Sequence, residues 1–350
     1  MNYKIVTLGL LVILTSFSSQ LNAQIGGSKT WMFLDLPVSS RQAALGGNNA
    51  SISDNDPTLT YSNPSLLNSQ LKNNLTLNYT GYFSGIKYAF ADYIRPINKL
   101  GTFSAYIQYF NYGDFTRTDA TGQELGTFRA ADYAIGLGWG RQLDSNFSIG
   151  ANFKTVVSSY DEWSATGFAM DIAGTWASRD KLTSASLIAR NIGRQLDYYT
   201  DGNNESLPFE MQFAVSRKLP HAPFRLTLLL THLEKWDLTY YDPTDPDNQP
   251  DPITGETKSK SDIADFADKA MRHVVVGAEF APSQSFMVRV GYNYQRRQEM
   301  KEESAKGTVG FSWGFGIRIS KFYLSYARTT YHQAGSPNYI TLTTNISNWM

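Results

Sequence analysis

The chain of 350 residues carries 31 Lys and Arg against 31 Asp and Glu, so its formal net charge at neutral pH is zero. This balance argues against a general nucleic-acid-binding protein, which needs a basic surface to displace counterions from phosphates. Cysteine is absent, which excludes disulfides, thiolate metal sites, a cysteine nucleophile and a lipidated N-terminal cysteine. Aromatic residues are abundant (21 Tyr, 20 Phe and 7 Trp), and Tyr and Trp suit boundaries between apolar and wet surroundings.

Residues 1–23 are predicted to be an export signal. Lys4 supplies the positive charge, residues 5–14 supply an apolar run, and Leu21-Asn22-Ala23 precedes the expected cleavage before Gln24. The alternative is a membrane anchor, but a spanning helix needs about 18 or more apolar residues and this run is shorter. Because no second long apolar run follows, we expect the mature chain to stay soluble outside the inner membrane or to cross a membrane without helices.

Residues 24–72 form an N-terminal segment that differs in character from the rest of the chain. Its central part, residues 39–67, carries helix and turn signals instead of strand alternation. Ser39 and Ser40 can cap a short helix through residues 41–45, which Gly46-Gly47 can end. A turn and a second short apolar segment follow. The residues that carry these signals are Arg41, Gly46, Gly47, Asp54, Asp56, Pro57, Asn63 and Pro64.

From residue 73 onward, large apolar residues alternate with small or polar ones, which is the period of β-strands. Residues 308–319 show the pattern most clearly. A soluble sandwich would place Lys, Glu and Thr on its polar face, whereas here the second face carries Gly, Ala, Ser, Asn and Gln with an occasional Arg or Asp. Small residues on a strand face indicate that something approaches closely, and the large aromatic face fits contact with lipid.

About fourteen strands are predicted, many with about ten or more residues, as in tilted membrane-spanning strands. They lie near 74–82, 85–95, 101–112, 127–140, 146–158, 164–177, 182–191, 207–217, 223–234, 270–280, 285–296, 306–319, 321–331 and 339–349. The last strand ends at Trp349-Met350, similar to the assembly signal of outer-membrane barrels.

The predicted connections alternate between short turns and long polar loops, a pattern typical of outer-membrane barrels. The long loops are expected at 113–126, 192–206, 235–269 and 297–305. An even number of strands would put both termini on the short-turn side, in the periplasm. We therefore predict an all-β fold, in which residues 73–350 form a single antiparallel transmembrane β-barrel in the cell outer membrane.

A barrel of about fourteen strands is too wide for wall side chains to fill, because about eight strands reach that limit. We expect residues 39–67 to plug the lumen, packed closely against small wall residues. The order R-x-A-A-L-G-G at 41–47, D-x-D-P at 54–57 and N-P-S-L-L at 63–67 resembles the hatch of FadL-like barrels. More closely, it is similar to the PorV/PorQ branch of the type IX secretion system.

The resemblance implies a non-enzymatic outer-membrane component that anchors the surface attachment complex of that secretion system. Its implied partners are a PorZ-like protein held at the cell surface, PorU and PorV, in addition to outer-membrane lipid. The alternative is a FadL-like channel for hydrophobic small molecules. That function needs an apolar lumen site, and a lumen lined by Gly, Ser, Asn, Arg and Asp argues mildly against it.

No catalytic site, metal site or cofactor is predicted, and an outer-membrane enzyme is the least favoured function. The sequence lacks a G-x-S-x-G motif, and its histidines lack the spacing of a zinc site. Residues 242–251 form an acidic loop in which a calcium site is conceivable, but the EF-hand spacing is missing and a solvated loop is favoured. The four histidines are His221, His232, His273 and His332.

The longest predicted loop also contains a candidate docking surface. Residues 261–267 can form a short helix that places Ile263, Phe266 and Ala267 on one face. A partner-docking site and a loop that merely caps the barrel mouth explain this pattern about equally well.

Overall fold

The computed structural model describes residues 29–200, 202–239, 261–300, 307–332 and 335–349. Fourteen strands form one closed antiparallel barrel, in which strands adjacent in sequence pair and the first strand pairs with the last. The predicted fold class is therefore confirmed. The predicted export signal and the acidic loop at 242–251 lie outside the described residues.

The strands differ in length from seven to 19 residues. They are β1 (Asn74–Gly81), β2 (Lys87–Ile97), β3 (Gly101–Thr118), β4 (Glu124–Gln142), β5 (Phe147–Tyr160), β6 (Trp163–Ala177), β7 (Thr183–Asp197), β8 (Glu210–Lys218), β9 (Phe224–Leu230), β10 (Val274–Phe280), β11 (Phe286–Asn293), β12 (Phe311–Ile319), β13 (Phe322–Thr329) and β14 (Asn338–Asn345). The α-helices of the described chain are α1 (Ser40–Ala44), α2 (Asp262–Arg272) and α3 (Tyr294–Met300). None of its helices is both long enough and apolar enough to cross a membrane.

The strands turn their large apolar side chains outward and their small or polar side chains inward. In β4, Ile135 and Leu137 are each 61% exposed, whereas Ala134 is fully buried. The same alternation places Trp313 outward and Ser312 inward in β12. Such a continuous exposed apolar surface is typical of a lipid-facing band, and it matches the face that the sequence assigns to lipid.

Short and long connections lie at opposite ends of the barrel. The short turns include residues 98–100, 143–146 and 320–321, and the end that they form also holds the start of β1 and the end of β14. The opposite, long-loop end carries 198–209 and the connection between β9 and β10, which contains α2.

The predicted long loop at 113–126 is wrong. β3 continues to Thr118 and β4 begins at Glu124, and Phe115 stacks on Phe128 across the pair with ring centroids 5.3 Å apart. The alternation fades here because both faces of this hairpin extension are exposed, so its polar composition resembles that of a loop.

In two places a helix replaces the predicted end of a strand. β11 ends at Asn293 and the chain continues as α3, where Gln295 donates a hydrogen bond to Glu299 at 2.8 Å one turn later. β14 ends at Asn345, whose side chain accepts a hydrogen bond from the Ser347 N–H at 2.9 Å and begins a 3₁₀-helix. Trp349 therefore follows a helical turn instead of ending a strand.

The segment before β1 crosses the interior of the barrel. α1 contacts β11 to β14, whereas the 3₁₀-helix Pro64–Leu66 contacts β4 to β6 on the other side of the ring. The predicted short helix is present: the Ser39 hydroxyl accepts a hydrogen bond from the Gln42 N–H at 3.4 Å. Thr30, near the start of the described chain, donates its N–H to the Ser206 carbonyl at 3.0 Å, at the long-loop end.

Candidate functional site

Arg41 is buried and lies at the centre of an ion cluster inside the barrel, in which Asp54 is the exposed member. Its guanidinium donates two hydrogen bonds to Asp54 at 2.7 and 3.1 Å and one to Asp56 at 2.6 Å. It donates two more to Glu279 of β10 at 2.8 and 2.7 Å, so all five N–H donors are used. Three predicted motif residues thus meet at one site. Sequence reasoning missed Glu279, which lies 238 residues away in the chain.

Two further arginines from the barrel wall complete the cluster. Arg289 donates to Glu279 at 2.7 Å, and Arg225 lies 3.4 Å from Asp54 and 3.5 Å from Glu279. With Arg41, three guanidiniums face the three carboxylates of Asp54, Asp56 and Glu279, so the cluster is balanced in charge. Such balance is what makes buried charges tolerable.

The cluster controls the protonation of the motif side chains. Burial alone would raise the pKa of Asp56, but the Arg41 guanidinium and the Thr58 N–H lower it below the usual value of 3.8. Burial opposes the charge of Arg41, and the carboxylates of Asp54, Glu279 and Asp56 overcome that effect and raise its pKa well above the usual value. Asp56 and Arg41 therefore stay ionised at neutral pH.

The motif glycines and the first proline have different roles. Gly46 ends α1 with a φ of +94°, and a Cβ there would lie 2.8 Å from a methyl group of Val275. At Gly47 the same added atom would meet only Leu229, at 4.0 Å, so sterics do not demand glycine. Pro57 begins a 3₁₀-helix that the Asp56 carboxylate caps by accepting from the Thr58 N–H at 2.9 Å.

Asn63 and Pro64 fix the other side of the segment to the wall. The Asn63 amide donates to the hydroxyls of Thr175 at 2.9 Å and Ser186 at 3.1 Å, on β6 and β7. Pro64 packs so closely on β5 that a Cβ at Gly150 would lie 2.3 Å from its carbonyl carbon. This geometry agrees with the expectation that small wall residues allow close packing.

A second buried ion pair lies beneath the segment and was not singled out in the sequence. Lys154 of β5 and Asp171 of β6 are 2.8 Å apart and fully buried. Lys154 also donates to the Asn191 amide oxygen at 2.7 Å, and the Asn191 amide donates to Asp35 of the segment at 2.7 Å. The sequence did contain a signal for this pair, since Lys154 and Asp171 each occupy an inward position of an alternating strand, where a charged residue is unusual.

The lumen is more aromatic than expected. β2 and β3 turn Tyr88, Phe90, Tyr106 and Phe110 inward, where they form a cluster with aromatic residues of the segment. Tyr61 lies between two of them, with its ring centroid 5.5 Å from Phe90 and 5.1 Å from Tyr106. The expectation of a lumen lined by small and polar residues is therefore wrong on this side, because these rings pack against the segment.

A polar cavity of about 330 Å³ lies beside the ion cluster at the short-turn end. Asp54 and Asp56 line one part of it, and Arg318 and Lys321 line another. The described residues contain no group of three or more side chains placed to hold a metal ion. The ring nitrogens of His273, for example, lie 2.7 and 3.0 Å from the carbonyl oxygens of Thr231 and Trp236.

Solved structures of similar fold cover most of the chain. The toluene transporter TbuX of Ralstonia pickettii matches with a TM-score of 0.50 and 11% identity, over 92% of this chain and all of that one (100%). The toluene transporter TodX of P. putida matches with a TM-score of 0.51 and 10% identity, over 89% and 99%. The barrel shares their fold.

A FadL homologue of Pseudomonas aeruginosa also matches, with a TM-score of 0.49, 12% identity and coverage of 88% and 98%. Neither a protein-family model nor a curated protein matches the sequence. At these identities the likeness to the two toluene transporters concerns the fold alone, an outer-membrane-type β-barrel.

The candidate docking surface lies at the long-loop end. α2 is longer than the predicted helix, and it leaves Ile263 83% exposed and Phe266 62% exposed. Ala267 is also exposed. Phe266 packs against Trp236 with ring centroids 5.3 Å apart. A docking role for this surface stays a prediction.

Proposed function

We propose that the protein is a plugged outer-membrane barrel that anchors surface partners of a type IX secretion system. The observation that supports this proposal is the set of hydrogen bonds that Arg41 donates to Asp54, Asp56 and Glu279. It links both polar parts of the motif to the wall, and that motif is the part of the chain that resembles PorQ. A firmly held plug suits a rigid platform better than an open pore.

In this proposal residues 39–67 are the hatch. The segment is held at Arg41 on one side of the lumen and at Asn63 on the other. Removing one partner from a buried ion pair typically costs about 3–5 kcal/mol, so spontaneous release of the hatch would be rare. The barrel would stay closed, with the start of β1 and the end of β14 in the periplasm and the long loops at the cell surface.

The implied partners are a PorZ-like surface protein, with PorU and PorV. The role needs no catalytic chemistry and no cofactor, since it consists of holding a soluble protein at the membrane. The long-loop end would supply the surface for it, because that end carries the connection between β7 and β8 and the connection that contains α2.

A channel for hydrophobic small molecules is the second candidate. The inward aromatic cluster of β2 and β3 favours it, because aromatic and apolar side chains line most small-molecule sites. The barrel also shares its fold with two proteins described as toluene transporters. Uptake through this barrel would require the hatch to move, since Tyr61 fills the space between the rings.

Affinity purification from solubilised outer membranes tests the anchor. A tag inserted between residues 241 and 260 should recover a large soluble surface protein by mass spectrometry. Recovery of the barrel alone under mild detergent would refute anchoring. Uptake of a radiolabelled fatty acid by the deletion strain tests the channel, and unchanged uptake would exclude it.

The hatch has a separate test. Deleting residues 39–67 should raise the conductance of the purified barrel in planar bilayers, because that segment is largely buried within the ring of strands. Unchanged conductance would mean that another part of the chain closes the lumen.

A further inference from the structure

Helix α2 shows the reverse of the amphipathic arrangement found on a soluble protein. Its polar side packs against the protein: Asp268 accepts hydrogen bonds from the Tyr294 hydroxyl at 2.8 Å and from Arg272 at 3.0 Å. The Asp268 and Arg272 side chains are only 19% and 12% exposed, against 83% for Ile263. A surface helix in water buries its apolar stripe, so this outward apolar stripe faces something other than water.

The apolar stripe continues the lipid-facing band of the barrel. Leu228 of β9 and Val276 of β10 are exposed on the outer wall, and α2 leads directly into β10. Above β9, Leu233 and Trp236 are also exposed, and Trp236 packs against Phe266 of α2. One apolar surface therefore runs from the strands to the helix.

The wall is lowest where α2 lies. β9 and β10 have seven residues each, the fewest of the fourteen strands. Seven residues rise about 23 Å along a strand and, at a tilt of about 45°, about 16 Å across the membrane. The apolar band of an outer-membrane barrel is about 25 Å tall, which leaves about 9 Å uncovered. A helix about 10 Å in diameter fills that distance.

We propose that α2 lies in the outer-leaflet interface of the membrane and completes the lipid-facing band above β9 and β10. Ile263 and Phe266 contact lipid acyl chains, and Trp236 lies at the headgroup boundary that tryptophan favours. The nearby charges suit this position, because Lys269 pairs with Asp237 at 3.1 Å and with Asp265 at 2.8 Å. The proposal requires a membrane-spanning barrel but no secretion partner.

The absence of native cysteine allows a direct test with single labels. An environment-sensitive fluorophore is attached to Ile263→Cys, Phe266→Cys or Asp262→Cys, and each full-length variant is reconstituted in phosphatidylcholine liposomes. Asp262 is the matched control, because it is adjacent in sequence and also exposed but carries a charge. Heat-shifted gel mobility verifies that each variant is folded.

Phosphatidylcholine carrying a doxyl group near the headgroup should quench the labels at 263 and 266 several-fold more than the label at 262. Iodide in the buffer should show the opposite order. Equal quenching of all three labels by iodide, with none by the doxyl lipid, would overturn the proposal. Shielding of 263 and 266 only after surface proteins are added would also overturn it and would identify α2 as a protein-docking surface.

Discussion

Replacing Arg41 by alanine should release the N-terminal segment from the barrel wall. The substitution removes five hydrogen bonds and leaves Asp54, Asp56 and Glu279 without their shared cation. Because Glu279 is buried and Asp56 is largely so, the penalty comes mainly from the charge that these two carboxylates keep inside the barrel, whereas Asp54 is exposed.

The remaining arginines limit the size of the effect. Breaking a buried ion pair costs about 3–5 kcal/mol, and we expect about 3 kcal/mol here. The lower value follows because Arg289 stays 2.7 Å from Glu279 and Arg225 stays 3.4 Å from Asp54. Since about 1.4 kcal/mol corresponds to a factor of ten, the population with a detached segment should rise roughly a hundredfold.

Limited proteolysis of the folded barrel measures that population, provided that detachment and reattachment are fast relative to cleavage. Cleavage within residues 39–67 should accelerate for Arg41→Ala. Arg129→Ala is the matched control, because Arg129 also pairs with an aspartate, Asp114, at 2.8 Å but both side chains are exposed. An exposed pair contributes about 0–1 kcal/mol, so cleavage should be nearly unchanged.

A double-mutant cycle sharpens the result. Glu279→Gln alone should also accelerate cleavage. The double variant should lose less free energy of segment attachment than the sum of the two single losses, because both substitutions remove the same interaction. Cleavage of Arg41→Ala at the wild-type rate, or strictly additive effects in the cycle, would refute the view that this contact holds the segment.

Three further predictions concern packing, the second ion pair and pH. Gly150→Val should lower the unfolding temperature in gel-mobility assays through overpacking of about 1–3 kcal/mol, whereas Gly174→Val should not, because nothing lies within 4 Å of a Cβ there. Lys154→Met should destabilise the barrel to urea by about 3–5 kcal/mol by leaving Asp171 unpaired, and adding Asp171→Leu should restore most of that stability. Since the pKa of Asp56 is lowered, the ionised Asp56 side chain stabilises the attached segment at pH values above its usual pKa of 3.8. This stabilisation is lost as the pH falls below that value. Bilayer conductance should therefore be constant from neutral pH to about that value and rise below it, and a rise near neutral pH would contradict the assignment.

Much of the barrel follows from local patterns. The alternation in residues 308–319 identifies the outward and inward faces of β12, because every second side chain meets lipid. The helix at Ser40–Ala44 follows from its serine cap and the glycine after it. In the extension of the hairpin of β3 and β4 both faces are exposed, so the pattern is lost.

The sequence predicted some residues of the candidate site and missed the others. Arg41, Asp54 and Asp56 lie close together in the chain, so their spacing identifies a motif. Glu279 and Arg289 look like ordinary inward residues of two strands, and only the closure of the ring brings them to Arg41. The aromatic cluster was missed for a related reason, since alternation alone does not tell which face of β2 and β3 meets the segment.

The long sequence separation of the contacts to α1 has a consequence for how the protein is assembled. The Ser40 N–H bonds to the Thr341 hydroxyl at 2.8 Å across 301 residues, and Arg41 reaches Glu279 across 238. Helix α1, which is among the first segments to be synthesised, therefore binds strands that are synthesised last. Because such distant contacts form late, seating of this segment and closure of the barrel belong to one final step. A nascent barrel that lacks β10 to β14 would leave α1 without a binding surface.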